Sequence, residues 1–129
     1  MNIAIGKHMI GEGRTYIIAE IGNNHNGSIE RAIQMIDLAA DMGADCAKFQ
    51  MRHLDEVYRQ RTLRKDGEDL GTEYVLDLLR RFELSVEDHR RLASHCAEKG
   101  ILYLCTPWDA RSVDILQEFG VPAYKVASA

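Results

Sequence analysis

Cysteine is scarce in this chain, and the three present, Cys46, Cys96 and Cys105, form no C-x-x-C pair. An odd count without paired spacing argues against a disulfide framework and a structural zinc site, so reduced, buried thiols are expected. A surplus of one charge is also missing. The net charge is -4, and the densest charged window, Arg52 to Asp69, holds five basic and five acidic side chains. No basic stripe exists to track a nucleic acid or an anionic membrane surface, so neither is expected as a partner. Long apolar runs are absent too: none approaches the ~18 residues of a membrane span, and "MNIAIGKHMIGEG" is too short and too weakly apolar for a signal peptide. A cytoplasmic protein is the expectation. What the 129 residues do contain is 46% apolar and 28% charged side chains, the make-up of one globular domain with its own core.

The apolar period switches repeatedly between strand and helix. "TYIIAEIG" (Thr15 to Gly22) is a short apolar run rich in β-branched and aromatic residues, which predicts a strand buried on both faces. Ser28 then offers an N-cap, and Ile29, Ala32, Ile33, Ile36, Ala39 and Ala40 recur at helical spacing until Gly43. "ADCAKFQ" predicts a second strand. The stretch from Met51 to Gly71 has no clear period, and its length of about twenty residues suggests a functional loop. "TEYVLDLLRRF", with Thr72 as its cap, and "SVEDHRRLASHCAEKG" predict two helices. Ser85 and Asp88 form a capping box in the second, with Asp in place of the usual Glu. "ILYLCT" predicts strand three, "DARSVDILQEFG" a helix, and "PAYKVAS" strand four; "MNIAIGKHMIGEG" reads as a separate small hairpin.

Alternating strands and helices imply parallel strands joined by right-handed crossovers, in a doubly wound sheet or in part of a (β/α)8 barrel. Each predicted strand ends in residues that a core does not need: Glu20 with "NNHNG", Lys48 with Gln50, Thr106 with Trp108, and Lys125 with Ser128. In parallel α/β folds the C-terminal strand ends face the ligand, so these sets should meet at one mouth. "GNNHNG" matches neither G-x-G-x-x-G nor a Walker A loop, which favours the barrel. The fold class expected is therefore α/β, a partial TIM barrel made of the first four βα units and occupying residues 1–129. Lys48 inside an apolar strand is hard to explain structurally, because an unpaired buried ammonium costs several kcal/mol. Glu20 could supply an internal ion-pair partner for such a lysine. His25 is open to two readings, a ligand contact or a local hydrogen bond leading into the next helix. Asn23, Asn24 and Asn26 suit turns that need positive φ.

"AEIGNNHNGS", "GADCAKFQ", "LCTPWD" and "PAYKVAS", in this order and at these spacings, closely resemble the N-terminal half of the sialic acid synthase family. That family includes N-acetylneuraminate, legionaminic and pseudaminic acid synthases. The resemblance implies a (β/α)8 barrel, commonly followed by an antifreeze-like domain, that condenses phosphoenolpyruvate with an N-acetylated hexosamine such as N-acetylmannosamine. The product is a nine-carbon keto acid, and phosphate is released. By the resemblance, Lys48, Thr106, Lys125 and Ser128 match positions that hold phosphoenolpyruvate, and Glu20 and Gln50 match positions facing the sugar. Trp108 stands where the family often has another aromatic. Glu20, Lys48 and Lys125 are the expected catalytic residues, with Asn23, His25, Gln50, Thr106, Trp108 and Ser128 as substrate-binding residues.

The family's divalent metal (Mn²⁺ or Mg²⁺) is held by two His of later strands, so its ligands are not expected in this chain. A homodimer is the implied assembly, in which the antifreeze-like domain lends a residue to the neighbouring site. Two departures stand out: about 250 residues make a complete barrel, and a family Asn of the long loop has no clear counterpart near Glu68. The 129-residue chain alone is accordingly expected to be inactive, and its cut sheet edges and the helix face of Ile115, Leu116 and Phe119 to promote association. A 3-deoxy-aldulosonate synthase type of enzyme and a non-catalytic ligand-binding or partner-binding fragment remain as alternatives.

Overall fold

The computed structural model describes residues 2–11, 13–57 and 70–127. The first elements form a hairpin, β1 (Ile3–Ile5) antiparallel to β2 (His8–Ile10), as the N-terminal segment suggested. Its turn glycine, Gly6, has φ +58, and a Cβ there would stand 2.8 Å from Leu102 Cδ1. Arg14, just beyond the hairpin, pairs with the buried carboxylate of Asp45, which also accepts the Ile17 N–H at 2.8 Å. Leu102 and Asp45 both stand where strands begin, so the hairpin covers the N-terminal end of the main sheet.

That sheet is parallel and ordered β3 (Ile18–Gly22), β4 (Cys46–Met51), β5 (Leu102–Pro107). Helix α1 (Ile29–Asp41) links β3 to β4, and α2 (Leu54–Val57), α3 (Leu70–Phe82) and α4 (Val86–Glu98) lie between β4 and β5. Helix α5 (Ala110–Glu118) follows β5. Local chemistry fixes most boundaries. Ser28 caps α1 by accepting the Arg31 N–H at 3.2 Å. Ser85 and Asp88 form the capping box of α4 with both reciprocal bonds present. Asp109 caps α5 through the Ser112 N–H at 2.7 Å. Helix α3 begins at Leu70, so Thr72 lies inside it rather than at its cap.

Side chains alternate across the strands. Ile21, Ala47, Phe49, Met51, Tyr103 and Cys105 join the core formed with Ala32 and Ile36 of α1, Leu92 and Cys96 of α4, and Leu116 of α5. The alternate positions, Glu20, Lys48, Gln50 and Thr106, therefore project from the face opposite the helices. Burial pushes the thiols of Cys46, Cys96 and Cys105 up to about 12, and all three are free. Thiols held neutral in this way are inert as nucleophiles.

Three expectations need correction. Residues 121–127 form no strand. With no neighbour beyond them among the described residues, Tyr124 and Val126 stay exposed, because a strand is a product of its pairing more than of its propensity. The first strand is not buried on both faces: Ile17 and Ile18, at the start of β3, are 53% and 43% exposed, and β3 has a strand neighbour on one side only among the described residues. The outward face expected for α5 is instead packed. Leu116 is fully buried, Ile115 and Phe119 pack against the core, and the Arg90 guanidinium sits 4.8 Å from the Phe119 ring centre.

Candidate active site

The glycine–asparagine stretch after β3 is a succession of tight turns. Asn24 N–H donates to the Ile21 carbonyl, Asn26 N–H to that of Asn23, and Ser28 N–H to that of His25, at 3.0, 3.0 and 3.1 Å. Asn26 carries φ +52 without a glycine's freedom, the turn-forming role its side chain suits. At Gly27, with φ +78, a Cβ would run into the Arg81 carbonyl at the end of α3, so only glycine lets the loop pack there.

His25 is turned inward. It is 2% exposed, its ring lies 6.3 Å from that of Phe49, and its Nδ1 accepts the Gly27 N–H at 3.0 Å. Burial lowers its pKa below the ordinary histidine value, with the Gly22 backbone acting in the opposite direction. Of the two readings of His25, the local hydrogen bond leading into α1 is the contact its geometry displays.

Those two groups meet across the sheet. Glu20 and Lys48 are register partners in β3 and β4, and the Lys48 ammonium is ion-paired with the Glu20 carboxylate. Lys48 is only 8% exposed, whereas the Glu20 side chain is mostly open to solvent. One layer further along, Gln50 and Thr106 are register partners in β4 and β5, and Thr106 is buried. Arg52 donates to Gln50 Oε1, and its guanidinium lies 4.8 Å from the Trp108 ring centre. The Trp108 indole N–H is buried with no hydrogen-bond partner among the described residues. Asn23, Gln50 and Arg52 share a narrow cleft with Phe82, Glu83 and His89.

Glu20, Lys48, Gln50, Thr106, Trp108 and Asn23 therefore gather at the C-terminal ends of the strands. Lys125 is half-buried in the extended segment after α5, outside any strand, and Ser128 lies outside the described residues. Together the gathered residues offer a cation, a carboxylate, an amide, a hydroxyl and an aromatic face, a set suited to an anionic and hydroxyl-rich ligand.

Three features escaped sequence reasoning. His89 is buried beneath the mouth; its Nδ1 is 2.8 Å from the Tyr103 hydroxyl, and burial brings its pKa down to about 4. Its spacing with Leu92 and Cys96 on the buried face of α4 was the available signal. Asp109 accepts the His53 N–H at 2.7 Å and lies 3.2 Å from His53 Nδ1, clipping the chain after β4 to the start of α5. Its backbone and side-chain hydrogen bonds hold the carboxyl below its ordinary pKa although its burial acts the other way. Arg52 is the third, and nothing in its sequence context distinguished it from the rest of the charged window that it opens. Among the described residues no three His, Cys, Asp or Glu side chains converge where an ion could sit, so they do not fit the metal that the resemblance implies.

Parallel βα units with polar groups gathered at the C-terminal strand ends define the class: an α/β unit matching the N-terminal part of a TIM-barrel synthase. A family model described as the NeuB family matches residues 35–129, and the chain belongs to that family. It is 34% identical to human N-acetylneuraminate-9-phosphate synthase over 131 residues, covering 99% of this chain and 36% of that protein. It is 36% identical to the N,N'-diacetyllegionaminic acid synthase of Campylobacter jejuni over 124 residues, covering 89% of this chain and 35% of that protein. Among solved structures, the N-acetylneuraminic acid (sialic acid) synthetase of Leptospira borgpetersenii serovar Hardjo-bovis, in complex with citrate, superposes with a TM-score of 0.83. The identity is 32%, covering 99% of this chain and 41% of that one. The chain thus spans about a third of the length of these curated relatives.

Proposed function

We propose that this chain supplies the phosphoenolpyruvate side of a synthase site that condenses phosphoenolpyruvate with an N-acetylated hexosamine, N-acetylmannosamine or a related sugar, to a nine-carbon keto acid. The observation that carries this reading is Lys48. A lysine only 8% exposed, on the sheet face opposite the helices and beside one carboxylate, is a costly feature for a core and a useful one for an anionic ligand.

In this reading Lys48 and Lys125 hold the carboxylate and phosphate of phosphoenolpyruvate, with the hydroxyls of Thr106 and Ser128 as donors. As the ligand's anionic groups engage Lys48, the Glu20 carboxylate is released to accept a hydroxyl of the sugar. Gln50 and Asn23 line the sugar side and Trp108 provides an apolar face. His25 shapes the loop that carries Asn23. The C2–C3 π electrons of phosphoenolpyruvate form the new bond to the open-chain aldehyde carbon, whose oxygen takes up a proton. Water adds at C2 and the C2–O bond to phosphate breaks to leave the ketone; of the two protons water gives up, one balances that taken by the aldehyde oxygen and the other leaves with the phosphate. Lys48 balances the ligand's anionic charge at every stage, and the walls of β4 and β5 orient C3 toward the aldehyde. A cytoplasmic setting and a homodimer complete the proposal; no helix among the described residues is long and apolar enough to cross a membrane.

The test is titration of phosphoenolpyruvate into the protein carrying this sequence and into its Lys48→Met variant, followed by assay of phosphate release with N-acetylmannosamine. Losing a charged hydrogen bond of about 1.5 to 3 kcal/mol should weaken phosphoenolpyruvate binding roughly ten- to a hundredfold. Equal affinity in the two proteins would move Lys48 out of the site.

A further inference from the structure

Arg52 stands one residue beyond β4 and touches two side chains of the mouth: it donates to Gln50 Oε1, and its guanidinium lies over the Trp108 indole. A guanidinium has donors only, so it can face only the carbonyl end of an amide. The amide nitrogen is thereby turned toward Gly22. A Cβ built on Gly22 would stand 3.4 Å from Gln50 Nε2 and 3.8 Å from Glu20 Oε1, so the bare glycine leaves an amide donor and a carboxylate acceptor close together over the same backbone. A hydroxyl both donates and accepts, and such a pair can bind it from both sides.

We infer that Arg52 is a positioning residue that locks the Gln50 amide with its N–H₂ end toward the mouth, so that Gln50 and Glu20 present a matched donor and acceptor to a hydroxyl-bearing ligand. The identity of that ligand as a sugar rests on the function proposed above. The lock itself does not.

The test uses the protein with selectively labelled Gln and Gly, comparing wild type, Arg52→Met and Arg52→Lys. Methionine keeps an apolar stem beside Trp108 but supplies no donor, whereas lysine is again donor-only. A nuclear Overhauser contact between the Gln50 side-chain amide hydrogens and the Gly22 α-hydrogens should be strong in wild type, weakened in Arg52→Met and restored in Arg52→Lys. Loss of a neutral hydrogen bond predicts N-acetylmannosamine binding about threefold to tenfold weaker in Arg52→Met. Arg52→Lys should remain close to wild type, and phosphoenolpyruvate affinity should change little in either variant. An unchanged contact in Arg52→Met, or Arg52→Lys behaving like Arg52→Met, overturns the lock. If the contact follows the donor while wild type binds no N-acetylmannosamine, the lock stands and the reading of the mouth as a sugar site falls.

Discussion

β4 and the segment at 121–127 carry nearly the same message in sequence, a lysine set among small and apolar residues: "CAKFQM" in one, "AYKVA" in the other. In space they differ completely. β4 has a parallel neighbour on each side and helices over one face; Phe49 is fully buried and Lys48 nearly so. Residues 121–127 have no such enclosure, and Val126 is 83% exposed. The same pattern becomes a strand only where other elements complete its surroundings. The chemistry follows the same rule, since Lys48 is held in place by Glu20 and its strand, while Lys125 has no strand to hold it.

If that contrast is sound, the largest effect of any substitution proposed here belongs to β4. Phe49→Ala should cost about 3 to 5 kcal/mol, because the ring stacks on Tyr103 at 5.6 Å between centres and also touches His25 and His89. Urea denaturation followed by circular dichroism measures it. A loss below about 1 kcal/mol would mean that β4 is no better enclosed than 121–127, for surface positions typically fall in that range.

The next effect is one of pH. His89 has a folded pKa near 4 against an ordinary value of 6.5, because burial penalises its charged form. A group depressed in this way contributes stability above pH 6.5 that is lost as pH falls toward 4, an effect of about 3 kcal/mol. His25 acts with the same sign, and the lowered carboxyls of Asp45 and Asp109 weaken the fold only at still lower pH. His89→Gln should flatten the dependence of the urea midpoint on pH across that window while leaving a smaller slope from His25. An undiminished slope in the variant would place the titration elsewhere.

These outcomes bear on what the sequence could reveal. Three strands were legible because apolar runs ended at glycine or polar clusters, and the capping box at Ser85 and Asp88 was legible because the helix terminus dictates those side chains. Strand four was misread because its pattern is local whereas its pairing is not. At the site, Glu20, Lys48, Gln50 and Thr106 could be gathered from strand periodicity alone. The Asp109–His53 clip joins residues separated by 56 positions, and the Arg52–Trp108 stack depends on where two loops cross. Neither has a sequence period. The packing of Gly27 on Arg81 likewise becomes visible only when the loop and α3 stand together.

Lys125 sharpens the comparison at the level of binding. If it holds phosphoenolpyruvate, Lys125→Met should weaken that ligand by about tenfold, at the low end of the range for a charged hydrogen bond. The low end is expected because ordering a segment that is not a strand offsets part of the gain, roughly 1 to 2 kcal/mol for each residue fixed. Calorimetric titration should also show a larger unfavourable entropy for wild type than for Lys125→Met. Equal affinity in the two proteins would remove Lys125 from the site and leave Lys48 as the principal cation.

The smallest effect is the most direct test of the contrast. Val126 makes little contact, so Val126→Ala should change stability by no more than about 0.5 kcal/mol. Hydrogen exchange adds an independent reading: the amides of residues 123–127 should exchange rapidly, whereas those of β4, bonded on both sides, should exchange only on larger opening. A loss above about 1 kcal/mol in Val126→Ala, together with slow exchange at Lys125 and Val126, would show that this segment finds a partner strand after all. The difference between the two lysine segments would then lie in sequence order alone, and enclosure would no longer explain why one lysine is fixed and the other is not.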